Sequence, residues 1–143
     1  MKISEIFSMW AEDSDYGEDY TDAIKKTPKL HAKYYRMYID EKVILLKLEE
    51  KYKILRKEKK EFFLHGTART NDKGWELPAK GRLLKQEINE YLDADQDILT
   101  LEMKIGVQKE RVDLFKSILK EITSRGFHIR DLIEDRKYKE GLI

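Results

Sequence analysis

The chain has no cysteine, which removes disulfides and thiolate chemistry from consideration. It has no long hydrophobic run. Its longest apolar stretches are a few residues, far short of the roughly 20 that a membrane-spanning helix needs. The opening residues, Met1 to Trp10, carry an early acid, Glu5, and soon meet Glu12-Asp13. That is a poor secretory core, so an intracellular protein is the default expectation. A net excess of either charge is lacking too: 29 bases against 28 acids leave a formal net charge of +1, and bulk electrostatics alone select no partner.

Chemistry is equally thin. His31, His65 and His128 are far apart, and none has a second histidine or cysteine at ligand spacing. Lys80-Gly81-Arg82 lacks the frame of a phosphate-binding loop. Asp93, Asp95 and Asp97 alternate as calcium ligands do, but the central glycine is missing and Lys104 stands where the terminal glutamate belongs. Aspartates at a helix N-terminus are the simpler account. No carboxylate sits in an apolar setting that would raise its pKa. The expectation is a protein that is not an enzyme and holds no metal or cofactor.

What is present is charge, periodically arranged. Charged residues make up 40% of 143, well above the usual quarter, which suits long helices with polar outer faces. Its distribution is uneven. Residues 1–24 hold seven acids against the single base Lys2. From Lys25 to Lys60 there are 13 bases against 5 acids. An acidic head therefore precedes a basic stem. Ordinary solvation explains this, and so does a polyanion-binding stem.

Helical periodicity runs through most of the chain. Ile3, Ile6, Phe7 and Trp10 share a face of a first short helix. Asp19 suits the cap of another short helix toward Lys26, and Thr27-Pro28 is a start signal for a long one. No glycine or proline interrupts from there to Leu64. Tyr34, Tyr38, Glu41, Leu45, Leu48, Tyr52, Leu55, Lys59 and Phe62 step by fours and threes, a heptad-like seam with two charged positions. At 1.5 Å per residue this helix spans about 54 Å and calls for another long helix or another subunit beside it. His65-Gly66 ends it, and Asn71, Gly74, Pro78 and Gly81 mark a loop in which Trp75 suits an anchor. Helix resumes near Leu83. A second seam follows through Ile98, Leu101, Ile105, Gln108, Val112, Phe115, Leu119 and Ile122. Ser124-Arg125-Gly126 reads as its C-cap, and a short amphipathic helix bearing Phe127, Ile129, Leu132 and Ile133 follows.

The expected organisation is thus all-α. It comprises an acidic head with short helices (1–27), a helical core (28–125) and a C-terminal helix (126–143). The core holds a basic helix at 28–65, a loop at 66–81 and helices over 82–125. Lys53, Arg56, Lys57 and Lys60 form a cationic stripe on the basic helix, with Lys59 beside it and Arg69 in the loop. Repeated cations suit the phosphates of a nucleic acid strand, though a solvated helix face would look the same. Tyr35 and Phe63 lie off the seam and are the aromatics placed to stack on bases. Phe127, Ile129, Leu132 and Ile133 exceed what a short helix buries alone, so they pack back on the chain or join subunits.

Three stretches carry a family resemblance. Ser124-Arg125-Gly126-Phe127-His128-Ile129, followed by Asp131, Arg136 and Gly141, resembles the C-terminus of the UvsY family of recombination mediators from T-even-like bacteriophages. Asp93-Ala94-Asp95-Gln96-Asp97-Ile98-Leu99 is similar to its Ala-Asp-Lys-Asp-Val-Leu run, and Glu61-Phe62-Phe63 with Gly66 to its acid-aromatic-aromatic-x-Gly. The resemblance covers most of the chain from about Tyr35 onward and implies a ring-shaped homo-oligomer, a hexamer or heptamer with the heptamer favoured. It implies assembly through the C-terminal region, with Phe127, Ile129, Leu132 and Ile133 between subunits. It also implies single-stranded DNA, the phage recombinase and the phage single-strand-binding protein as partners, in the cytoplasm of an infected bacterium. The family's Leu-Lys-Ala-Arg DNA motif falls on Arg56-Lys57-Glu58-Lys59, which implies DNA contact by Lys57 and Lys59, with Arg56 and Lys60 offsetting Glu58. A structural or adaptor coiled coil without nucleic-acid binding is the alternative reading, and it leaves the excess of bases from Lys25 to Lys60 unexplained.

Overall fold

The computed structural model describes residues 1–66 and 73–141. Four α-helices occur among them: α1 (Ile3–Asp13), α2 (Tyr20–His65), α3 (Ile88–Asp93) and α4 (Gln96–Lys139). The all-α fold with two long helices agrees with the periodicity. None of these helices is long and apolar enough to cross a membrane. The chain forms two compact units, one of Met1–Lys42 with Glu110–Ile143, the other of Val43–Lys109. The acidic head is therefore grouped with the start of α2 and the end of α4, not set apart.

In the first unit, α1 buries Ile6 completely, with Met9 and Trp10 packed beside it. Phe7, expected on that face, is 58% exposed. Tyr34, Phe115, Ile118 and Ile122 complete the core. The Trp10 ring meets Tyr34 edge-on at 5.3 Å. The Tyr34 hydroxyl donates to the Asp13 carboxylate at 2.8 Å, and the Lys33 ammonium reaches the same oxygen at 2.7 Å. Burial pulls the Asp13 carboxyl upward, but these two bonds and the Lys33 and Arg125 charges outweigh it and hold it below the usual range. Burial and the adjacent carboxylate push the Tyr34 phenol well up.

Helix α2 starts at Tyr20, eight residues before the expected Pro28. Asp19 is its cap, accepting from the Thr21 and Asp22 N–H groups at 3.1 and 3.2 Å. The short helix expected to end near Lys26 is simply the first two turns of α2. Pro28 lies inside the helix and withholds one N–H, yet the helix continues. Ala23 is buried a turn upstream, and the Arg136 guanidinium sits 4.1 Å over the Tyr20 ring while donating to the Glu18 carbonyl. These contacts fix the turns on the N-terminal side of the proline.

Helix α4 likewise runs through the expected stop at Gly126. The seam explains why. Beyond Ile122, the steps of three and four continue to Arg125 and Ile129, which are 3% and 0% exposed. A seam that keeps burying side chains outweighs the roughly 1 kcal/mol that a helical glycine costs relative to alanine. The expected C-terminal helix is therefore, up to Lys139, the end of α4 and not a separate element.

In the second unit, Phe62, Phe63, Leu83, Ile88, Leu92 and Ile98 form the core, and Trp75 and Leu77 pack against it. Gly66 closes α2 with a φ of +57°, and its N–H donates to the Phe62 carbonyl at 2.7 Å. The helix expected from Leu83 begins only at Ile88. Leu83 instead donates its N–H to the Phe63 carbonyl at 2.8 Å, which draws this segment onto the end of α2.

An alanine at Gly126 would meet nothing within 4 Å, and the backbone there is ordinary helix. Gly126→Ala should raise the melting temperature, by about 0.5–1 kcal/mol of stability. Thermal denaturation followed by circular dichroism checks this. An unchanged or lower melting point would show that Gly126 serves some purpose other than continuing the helix.

Candidate nucleic-acid interface

Helical geometry sorts the cations of the α2 stem. At 100° per residue, Lys53, Arg56, Lys57 and Lys60 fall within an arc of about 100°, while Lys59 lies about 60° beyond its edge. The structure separates them accordingly. Lys53, Lys57 and Lys60 are exposed and make no ion pair with any described residue. Arg56 is half-buried, and its Nη1 lies 3.4 Å from the Asp93 carboxylate. Arg69 lies outside the described residues.

Lys59 occupies a different position. Its side chain is 5% exposed, with Nζ 3.2 Å from Asp95, 2.8 Å from Asp97 and 4.1 Å above the centre of the Trp75 ring. An ammonium taken out of water needs such partners. The same aspartates open α4, where the Asp95 carboxylate also accepts from the Ile98 N–H at 3.1 Å. One buried cation thus ties the last turns of α2 to the start of α4 and to the Trp75 loop. The seam contained the signal. Lys59 falls between Leu55 and Phe62 in the buried rhythm, and a lysine there must be neutralised within the fold.

Glu58, which a bound phosphate would meet as a repulsive charge, is engaged by Lys73 at 2.5 Å. Of the two aromatics placed to stack on bases, Phe63 is 6% exposed and belongs to the core. Tyr35 is 49% exposed and already stacks on His31, with ring centres 5.8 Å apart and planes 12° from parallel. Trp75 does anchor its loop, meeting Phe62 edge-on at 5.7 Å.

The four C-terminal apolar residues do not share a face. Ile129 is fully buried in the first unit. Leu132 and Ile133 are half-buried. Phe127 points outward, 63% exposed, with the Arg130 guanidinium 4.9 Å over its ring. Sequence periodicity did not single out Leu99, Met103 and Val107, which form an exposed apolar row on α4 at steps of four. Among the described residues, no three histidines or carboxylates gather as a metal site would require.

Removing the Lys59 cation leaves Asp95 nearly buried without its partner. Lys59→Ala should therefore cost on the order of 2–3 kcal/mol of stability. Its signature is a lower urea midpoint. A midpoint within error of the parent would show that the buried pair contributes nothing.

The sequence matches the family model described as "Recombination, repair and ssDNA binding protein UvsY" over residues 9–142. No curated protein sequence matches significantly. Among solved structures, the chain is similar to crystal structures of the recombination mediator protein UvsY of bacteriophage T4. One crystal form aligns with 20% identity over 98% of both chains and a TM-score of 0.79. A second aligns with 18% identity over 97% of this chain and 99% of that one, with a TM-score of 0.77. At that identity the likeness is one of fold, whereas the family match spans nearly the whole sequence. The chain belongs to the UvsY family of recombination, repair and single-stranded-DNA-binding proteins.

Proposed function

We propose that this protein is a recombination mediator that binds single-stranded DNA along the Lys53, Lys57 and Lys60 face of α2. In this reading it helps a phage recombinase load on strands covered by single-strand-binding protein, in the cytoplasm of an infected bacterium. The carrying observation is that three exposed lysines at helical spacing lack carboxylate partners among the described residues, in a chain of this family. Flexible ammonium groups on one helix face suit phosphates at variable positions, and they do not read base edges. Arg56 adds a planar fork at the edge of this face. Lys59 leaves the contact set, because its ammonium is committed to Asp95 and Asp97. Arg69 stays in it on the strength of its charge alone. The reading assigns no catalysis to the chain, and nucleotide hydrolysis falls to the recombinase.

Assembly is part of the same proposal. A ring of six or seven copies, seven favoured, would place one cationic helix per subunit along the strand, so that weak contacts become strong through linkage. Phe127, with the Leu99, Met103 and Val107 row, supplies exposed apolar surface for subunit contact. Leu132 and Ile133 retain some exposed surface of their own, while Ile129 serves its own unit's core.

Lys57→Ala with Lys60→Ala should weaken binding of a fluorescent single strand. It should also flatten the slope of log affinity against log salt by about 1.4, at roughly 0.7 per lost phosphate contact. Unchanged affinity and slope at low salt would reject this face as the interface. Separately, Phe127→Asp should lower the particle mass in sedimentation velocity while the helical content stays constant. A full-size particle would exclude Phe127 from the subunit contact.

A further inference from the structure

The carboxylates of residues 93–97 divide the α2 cations into two kinds. Asp95 and Asp97 both hold Lys59, which is buried and also covered by the Trp75 ring. Among the described residues only Asp93 holds Arg56, and this pair is open to water, with the arginine side chain 30% and the aspartate 70% exposed. An exposed pair of this kind holds weakly. Its arginine is also the stripe cation best shaped for a phosphate, because a guanidinium fork meets two phosphate oxygens at once.

We propose that Asp93 is a built-in competitor of the strand's phosphates: it occupies Arg56 in the free protein and yields it when a strand binds. This rests on the assignment of the α2 stripe as the strand-binding face. The exchange costs little on the protein side, because Asp93 at the end of α3 passes to water that already surrounds it. Lys59 does not exchange in the same way, since its departure would strand Asp95, only 11% exposed, without a cation. The acidic turn therefore performs two tasks with one composition. Asp95 and Asp97 hold the fold together, and Asp93 sets how tightly the strand is held. A protein that must hand its strand on benefits from a contact that can be taken back.

The test is a set of single-strand titrations across salt, using a fluorescent oligothymidine and four variants: Asp93→Asn, Arg56→Gln, the two combined, and Glu90→Gln. Glu90 is an exposed acid of α3 with no ion pair among the described residues, and it reports the nonspecific effect of removing a negative charge. Asp93→Asn should tighten binding about two- to fivefold at low salt, as expected for releasing one exposed ion pair. Glu90→Gln should change it less, and Asp93→Asn should change it no more than Glu90→Gln does once Arg56 is glutamine. Equal tightening by Asp93→Asn and Glu90→Gln, or persistence of the Asp93 effect without Arg56, overturns the inference. Binding by the parent that Asp93→Asn leaves unchanged overturns it alone. A parent that shows no salt-sensitive binding overturns the functional reading, and this inference with it.

Discussion

The neutralisation of one buried ammonium organises the second unit. Lys59 sits in a seam otherwise made of Tyr52, Leu55 and Phe62, so the fold must bring carboxylates to it. Asp95 and Asp97 supply them, and that requirement fixes where α4 begins. Trp75 covers the remaining face of the cation and brings its loop into the Phe62 and Phe63 core. Three segments separated in sequence are thus held by one charge. Desolvation makes the arrangement exacting, since a partly satisfied cluster of this kind is worse than an apolar one.

The same constraint divides labour among neighbouring lysines. Residues 56–60 contain four cations, and composition gives no reason to treat them differently. Rotation around the helix does. Lys57 and Lys60 turn toward solvent, Arg56 lies at the boundary, and Lys59 turns inward. A basic run on a helix is therefore a set of distinct environments. The two positions at which the resemblance implied DNA contact, Lys57 and Lys59, are here an outward residue and an inward one.

Much of the fold was legible because burial repeats every three or four residues. Each named position of the α4 seam from Ile98 to Ile122 is buried or half-buried, as its spacing required. Punctuation was less reliable. Pro28 and Gly126 look like helix boundaries because each carries a local cost, but neither cost matches the side chains that continue to be buried beyond it. The Asp19 cap was legible, since an aspartate before a helical run has a local task. The pairing of Lys59 with Asp95 was not, because it joins residues 36 apart and no local pattern encodes that distance. Phe127 and Ile129 show the same limit. Two residues apart on an apolar-looking segment, one faces solvent and the other the core.

Trp10 packs with Tyr34 in the first unit, and Trp75 packs with Phe62 in the second. The chain contains no other tryptophan. Each unit therefore carries its own intrinsic fluorophore, and single-tryptophan variants would give separate optical signals from the two. Coincident unfolding curves from those signals would mean that α2 and α4, each continuous through both units, couple them into one cooperative transition. Divergent curves would mean that a helix can fray within one unit while remaining intact in the other.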